Sequence, residues 1–257
     1  MSKLEIHPFI CREDNYGVLV HDPESGKTAS IDAPETAAIE RELAAKGWTL
    51  THILTTHHHA DHVEGNLPLK QKYRCTIIGP AGEAPGIPGM DREVRGGSAY
   101  DFAGRTVNVI ATPGHTKGHI VLHLPQEKLL FAGDTLFAMG CGRVIEGTMD
   151  EMWTSLDTLR LLPRDTVVHC GHEYTESNAR FALSVEPGNA ALQARAKVVA
   201  EKRQRGEMTL PTTIGEELET NPFLRPQSAE IRKSVGLPKA SDAEVFAATR
   251  KAKDNFR

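Results

Sequence analysis

Eight residues, Thr55-Thr56-His57-His58-His59-Ala60-Asp61-His62, include five that can ligate a metal, in the pattern His-x-His-x-Asp-His. Imidazole and carboxylate together suit zinc and the neighbouring first-row divalent ions. In extended backbone His57 and His59, two apart, point to one side. Asp61 and His62 follow in the next turn, so one loop can serve two adjacent ions. A triple histidine by itself would equally suit a metal-scavenging surface tract or the start of a polar helix. Asp61-His62 at this spacing, directly after an apolar strand over residues 51–56, favours a built site at a strand's carboxyl end, where α/β proteins keep their chemistry.

Three further segments place ligand-type residues in the same way. Pro113-Gly114-His115-Thr116 follows a β-rich run, Gly133-Asp134-Thr135 follows another, and Cys170-Gly171-His172-Glu173 follows a third. Each has a glycine beside the candidate ligand, which lets the backbone turn sharply in a crowded site. One histidine after one strand is usually a cap or a core residue. Four strand ends carrying His57, His59, Asp61, His62, His115, Asp134 and His172 form a joint pattern that points to a metal centre.

The elements that must position these residues are readable in outline. Apolar runs predict strands over residues 16–21, 28–31, 52–56, 75–79, 106–112, 119–124, 129–132 and 166–170. Asp32-Ala33-Pro34 predicts a helix opening, with Ile39 and Leu43 on one face, a Glu42/Lys46 pair and Gly47 as its end. Another helix is expected from Gly65-Asn66-Leu67. Residues 80–97, rich in glycine and proline, read as an irregular connection. Thr148-x-x-Glu151 is a capping box before a helix with Met152, Leu156 and Leu159 on one face. After Glu173 the pattern turns helical, over residues 175–184, 189–205, 228–235 and 241–253, with capping boxes Thr213-x-x-Glu216 and Ser241-x-x-Glu244 and no strand. The expected architecture is α/β (α+β), with a β-rich domain over residues 1–172 and a helical one over residues 173–257.

Composition narrows the setting. The 257 residues can bury a substantial core, and a hydrophobic fraction of 39% with 25% charged residues describes an ordinary globule. A formal net charge of −4 argues against a generic nucleic-acid binder. The first residues carry no apolar signal region, and no run reaches the length of a membrane span. Cys11, Cys75, Cys141 and Cys170 are scattered, with no Cys-x-x-Cys pair, as expected of free thiols in a reducing cytoplasm.

The ligand pattern resembles the metallo-β-lactamase superfamily, whose fold is an αββα sandwich of two mixed sheets between helical layers. Within it the chain is similar to the hydroxyacylglutathione hydrolases, the glyoxalase II family. The more specific marks are Phe131-Ala132-Gly133-Asp134-Thr135-Leu136-Phe137, Gly140-Cys141-Gly142-Arg143, Cys170-Gly171-His172-Glu173-Tyr174-Thr175, Val185-Glu186-Pro187-Gly188-Asn189 and Asn221-Pro222-Phe223-Leu224-Arg225.

The resemblance implies a site with two divalent metals, zinc first, with iron or manganese as alternatives. His57, His59 and His115 would hold one ion and Asp61, His62 and His172 the other. Asp134 would bridge them, and His58 would stand behind the ligands. Asp32 could hydrogen-bond a ligand histidine or cap a helix. Two metals about 3.5–4 Å apart lower the pKa of a bound water from about 15.7 toward ~7, so the implied nucleophile is hydroxide attacking a thioester carbonyl. The thiolate leaves readily, and Cys141, with no base paired to it, is expected to pack rather than react. The implied reaction turns S-D-lactoylglutathione, or another S-2-hydroxyacylglutathione, into glutathione and the 2-hydroxy acid, the second step of methylglyoxal detoxification. Arg143, Tyr174, Arg250 and Lys253 are the implied glutathione contacts. Where many family members carry an aromatic residue just after Arg143, this chain has Val144 and Ile145. The implied protein is a cytoplasmic monomer. Two rivals are a mononuclear-iron glutathione persulfide dioxygenase, which the helical tail with Asn221-Pro222-Phe223 disfavours, and a metal-stabilised binding protein without turnover.

Overall fold

The structure is a computed structural model and describes residues 2–256; Met1 and Arg257, the outermost residues of the two expected domains, lie outside that range. Its contacts divide the chain into two compact units. One comprises the chain up to Ala111 with Thr116–Gly133, and the other Thr112–His115 with the chain from Asp134 onward.

In the first unit β1 (Glu5–Cys11), β2 (Asn15–His21) and β3 (Thr28–Ile31) form an antiparallel meander. Helix α1 (Thr36–Lys46) then crosses to β4 (His52–Leu54), which pairs parallel to β3. The short α2 (Ala60–Val63) and α3 (Asn66–Tyr73) lead to β5 (Thr76–Pro80), and β6 (Arg92–Val94) closes the sheet in parallel. Strands β7 (Ala99–Phe102), β8 (Arg105–Ala111), β9 (Ile120–Leu124) and β10 (Leu129–Gly133) form an antiparallel ladder in that order. Ile39 and Leu43 of α1 and Leu69 of α3 pack with Leu19, Ile53 and Ile77 of the first sheet. Burying each such side chain contributes about 1.5–3 kcal/mol.

The helix opening differs from the expectation. Helix α1 starts at Thr36 behind Glu35, with no side-chain cap, and Asp32 has φ +56 and does not cap it. Gly47 does end it in left-handed conformation, returning its N–H to Ala44 and Leu43. Glu42 pairs with His7 of β1 at 2.9 Å, and Lys46 sits over the Trp48 ring. Strands β1, β6 and β7 were not expected.

In the second unit a hairpin of β11 (Leu136–Phe137) and β12 (Gly140–Cys141) precedes α4 (Met149–Leu159), whose Thr148/Glu151 capping box is fully formed. Strand β13 (Val167–Cys170) is followed by α5 (Thr175–Val185) and α6 (Ala190–Gln204). The tail is helical except for the two-residue β14 (Thr212–Thr213), which pairs with β13 where no strand was expected. Thr213 then caps α7 (Ile214–Thr220), Ser228 precedes α8 (Ala229–Ser234), and a complete Ser241/Glu244 box opens α9 (Asp242–Asp254).

Two family-like segments have clear structural work in this unit. Glu186 accepts two bonds from Arg225 (2.9 and 2.8 Å), one from Asn189 (2.9 Å) and one from Ser228 (2.5 Å), pinning the end of α5 to the chain before α8. Asn221 Nδ2 reaches the carbonyls of Phe137 (3.1 Å) and Gly140 (2.9 Å), so the tail braces the β11–β12 hairpin. Among the described residues no helix is long and apolar enough to cross a membrane. All four cysteines are free and buried.

Candidate metal centre

The first unit carries His57 and His59 on the loop from β4 into α2, and Asp61 and His62 on α2 itself. The His57 and His59 ring centroids are 4.8 Å apart and those of His57 and His62 4.1 Å. Asp61 Oδ2 lies 3.6 Å from His62 Nε2. Asp32 organises this loop. Its Oδ1 accepts the Thr56 N–H at 2.7 Å, and its Oδ2 accepts the Thr56 hydroxyl at 2.9 Å and His62 Nδ1–H at 2.8 Å. Because the Thr56 hydroxyl donates to Asp32, it is free to accept His57 Nδ1–H, 3.0 Å away. Both histidines therefore keep Nε2 as their donor atom, the arrangement typical of metal-ligating imidazoles.

The second unit carries His115, Asp134 and His172. The Arg143 carbonyl accepts His115 Nδ1–H at 2.8 Å, which again leaves Nε2 as the donor. Asp134 Oδ2 lies 3.4 Å from His115 Nε2 and 3.3 Å from His172 Nε2. Those separations are long for a hydrogen bond. They match the spacing of about 3.4 Å between two ligands each some 2.0–2.1 Å from a tetrahedral ion. One buried carboxylate oxygen placed alike toward two buried imidazole nitrogens is a donor set that fits metal.

Two glycines show how closely the backbone approaches. Gly133, at φ +46, has Thr56 Oγ1 2.7 Å and His119 Nε2 2.8 Å from where a Cβ would stand. A Cβ on Gly142 would fall 1.9 Å from the Asp134 carbonyl oxygen. Any larger residue would press on Thr56 and His119 at the first position and on the Asp134 backbone at the second.

The four expected substrate contacts also lie in the second unit. Arg143 is exposed, as is Ile145, while Val144 is half-buried. The Tyr174 ring, 37% exposed, stacks flat on His172 with centroids 4.8 Å apart and 1° between planes. Arg250 is only 4% exposed. It donates to the Cys141 carbonyl at 2.8 Å, pairs with Asp254 at 3.0 Å and lies over the Phe223 ring. Lys253 Nζ donates to the Ser177 carbonyl and hydroxyl at 3.1 and 3.0 Å. Burial, then the nearby Arg250 and Arg180, push the Lys253 ammonium down to about 8. Burial pushes the Cys141 thiol up to about 11 and Cys170 to about 12, which takes both out of consideration as nucleophiles.

Similarity to known proteins covers the whole chain. A model of the metallo-beta-lactamase superfamily matches residues 25–172, and one of the hydroxyacylglutathione hydrolase C-terminus matches residues 173–256. A hydroxyacylglutathione hydrolase from Rhizobium meliloti (strain 1021) is 59% identical across 100% of both chains. The chain belongs to the hydroxyacylglutathione hydrolase family. A member from Brucella ovis is 57% identical over 99% of each chain. The crystal structure of ETHE1 from Myxococcus xanthus, 26% identical, superposes with a TM-score of 0.67 over 97% of this chain and 99% of its own. The family's fold is the metallo-β-lactamase fold, of α+β class, with a C-terminal helical region, and its histidines and aspartates suit divalent metals.

Sequence reasoning left Asp32 undecided between helix cap and histidine anchor, and the hydrogen bonds settle it as the anchor. It missed Glu83, a buried carboxylate beside His58, because nothing in a glycine- and proline-rich stretch marks one glutamate as turned inward.

Proposed function

We propose that this chain is a binuclear metal-dependent thioesterase that hydrolyses S-2-hydroxyacylglutathiones, S-D-lactoylglutathione first, to glutathione and the 2-hydroxy acid, the second step of methylglyoxal detoxification. The observation that carries the reading is the full-length likeness to proteins named hydroxyacylglutathione hydrolase. That likeness leaves the mononuclear-iron persulfide dioxygenase disfavoured. His57, His59 and His115 would hold one ion and Asp61, His62 and His172 the other, with Asp134 as a ligand shared by both; zinc is the first expectation, iron or manganese the alternatives. Support comes from the Nδ1 anchoring of His57, His62 and His115 and from the placement of Asp134 Oδ2.

Bound metals supply water that ionises near neutral pH and positive charge for the carbonyl oxygen. The chain's own part is orientation. Asp32 sets His62 directly and His57 through Thr56, and the Arg143 carbonyl sets His115. The departing thiol has a pKa of about 8.5, so no dedicated proton donor is needed. Arg143, Tyr174, Arg250 and Lys253 would receive the glutathione moiety, its carboxylates paired with these cations, and Arg250 also holds the Cys141 carbonyl and Asp254. Residues 1–172 form the catalytic domain and residues 173–257 the substrate-binding one, a division supported by where the two family models meet. The protein is a cytoplasmic monomer; its four free cysteines support a reducing compartment.

Metal analysis with an assay on S-D-lactoylglutathione tests the reading. Two metals per chain and rapid thioester cleavage are expected; oxygen uptake on glutathione persulfide without thioester cleavage would replace it with the dioxygenase.

A further inference from the structure

Glu83 lies in the 3-10 turn Ala81–Gly86, within the connection to which the sequence assigns no function. Donors from two segments converge on its buried carboxylate. Oε2 accepts the His58 backbone N–H at 2.7 Å and His58 Nδ1–H at 2.9 Å. Oε1 accepts the Gly118 N–H at 2.9 Å and the Thr116 hydroxyl. A buried carboxylate is costly to desolvate, and a full set of donors offsets that cost with bonds roughly twice as strong as neutral ones. Packing is as close as the bonding. A Cβ on Gly118 would meet Glu83 Cγ at 2.4 Å, and one on Gly86 would meet His58 Cβ at 2.8 Å.

These contacts fall on the links beside proposed ligands. His58 stands between His57 and His59, and Thr116 follows His115. With its N–H and ring both held by Oε2, His58 cannot rotate its peptide without breaking two bonds, and the backbone at His58 sets the direction of His59 relative to His57. We propose that Glu83 is a positioning residue for the metal centre, fixing the His57–His59 segment so that its imidazoles bind metal tightly. The assignment rests on the reading of His57 and His59 as ligands.

Chelator competition for zinc on the metal-stripped full chain tests it, with thermal unfolding of the same metal-free samples alongside. Glu83→Gln keeps the volume and loses the charge, and its zinc affinity should fall about tenfold to a hundredfold, the range typical of groups behind metal ligands. Its cobalt(II) absorption spectrum should change as the ligand geometry loosens. Thr116→Val removes one donor, and a loss of severalfold is expected there even if Glu83→Gln does not fold. Zinc affinity and cobalt spectrum unchanged in both variants, while His59→Ala loses zinc, would overturn the role of Glu83 alone. Zinc binding unaffected by His59→Ala would overturn the ligand assignment beneath it.

Discussion

Asp32 Oδ2 accepts the Nδ1 proton of His62 at 2.8 Å, and through the Thr56 hydroxyl the same carboxylate governs His57. One buried aspartate thus fixes the tautomer of two histidines, His57 on the loop and His62 on α2. Asp32→Ala should lower zinc affinity about tenfold to a hundredfold. Asp32→Asn, which keeps an acceptor oxygen, should lose less. Equal affinity in all three proteins, measured by chelator competition, would show that the aspartate does not organise the loop.

Asp134 is expected to be indispensable because its Oδ2 faces both His115 and His172. Asp134→Ala should lower metal content and remove most activity. His115→Ala and His172→Ala should each deplete metal, from different sites. Metal analysis with anomalous scattering checks this, and both substitutions emptying the same site would refute the division of ligands.

Lys253 gives the account a pH signature. Its ammonium, pushed down to about 8 by burial and by Arg250 and Arg180, is charged below that pH and loses its proton above it. If that cation holds a glutathione carboxylate, the pairing is present at pH 7 and lost as pH rises, so KM should climb through about pH 8. Lys253→Gln should have a KM about five- to twentyfold higher at pH 7, less than a fully desolvated ion pair would give, and without that inflection. The matching substitution at Arg250 is less diagnostic, because Arg250 also holds the Cys141 carbonyl. A wild-type KM flat from pH 7 to 9 would remove Lys253 from the binding site.

Asn221 ties the tail to the β11–β12 hairpin. Asn221→Ala strips its donors from the carbonyls of Phe137 and Gly140 and its cap from the Phe223 N–H. Buried unsatisfied groups cost about 1–3 kcal/mol each, so a loss of about 2–4 kcal/mol is expected in denaturant unfolding. A loss below about 0.5 kcal/mol would mean the brace is dispensable.

What the sequence discloses and what it hides divide along physical lines. Strands β4, β5, β8, β9, β10 and β13 are legible because they are apolar runs, and α4 and α9 because their caps are local chemistry. Strand β1 hides because Glu5–Cys11 is mostly half-exposed and interrupted by Pro8, and β11, β12 and β14 because two residues carry no periodicity. The candidate ligands stand out as clustered residue types, whereas among their anchors only Asp32 is open to that reading, and there equally as a helix cap. Asp32, Glu83 and the Arg143 carbonyl act on histidines about 25–30 residues away, contacts made only by folding. Arg250 shows the same limit from the other side. Its spacing from Lys253 suggests a shared helix face, but the fold buries it against Cys141 and Phe223.

The central claim is tested most directly by the rate of S-D-lactoylglutathione hydrolysis as the metal-free chain is titrated with zinc. The account predicts a rate near background without metal, rising to a plateau at about two equivalents per chain. Full activity before any metal is added, or no hydrolysis at any loading, would contradict it.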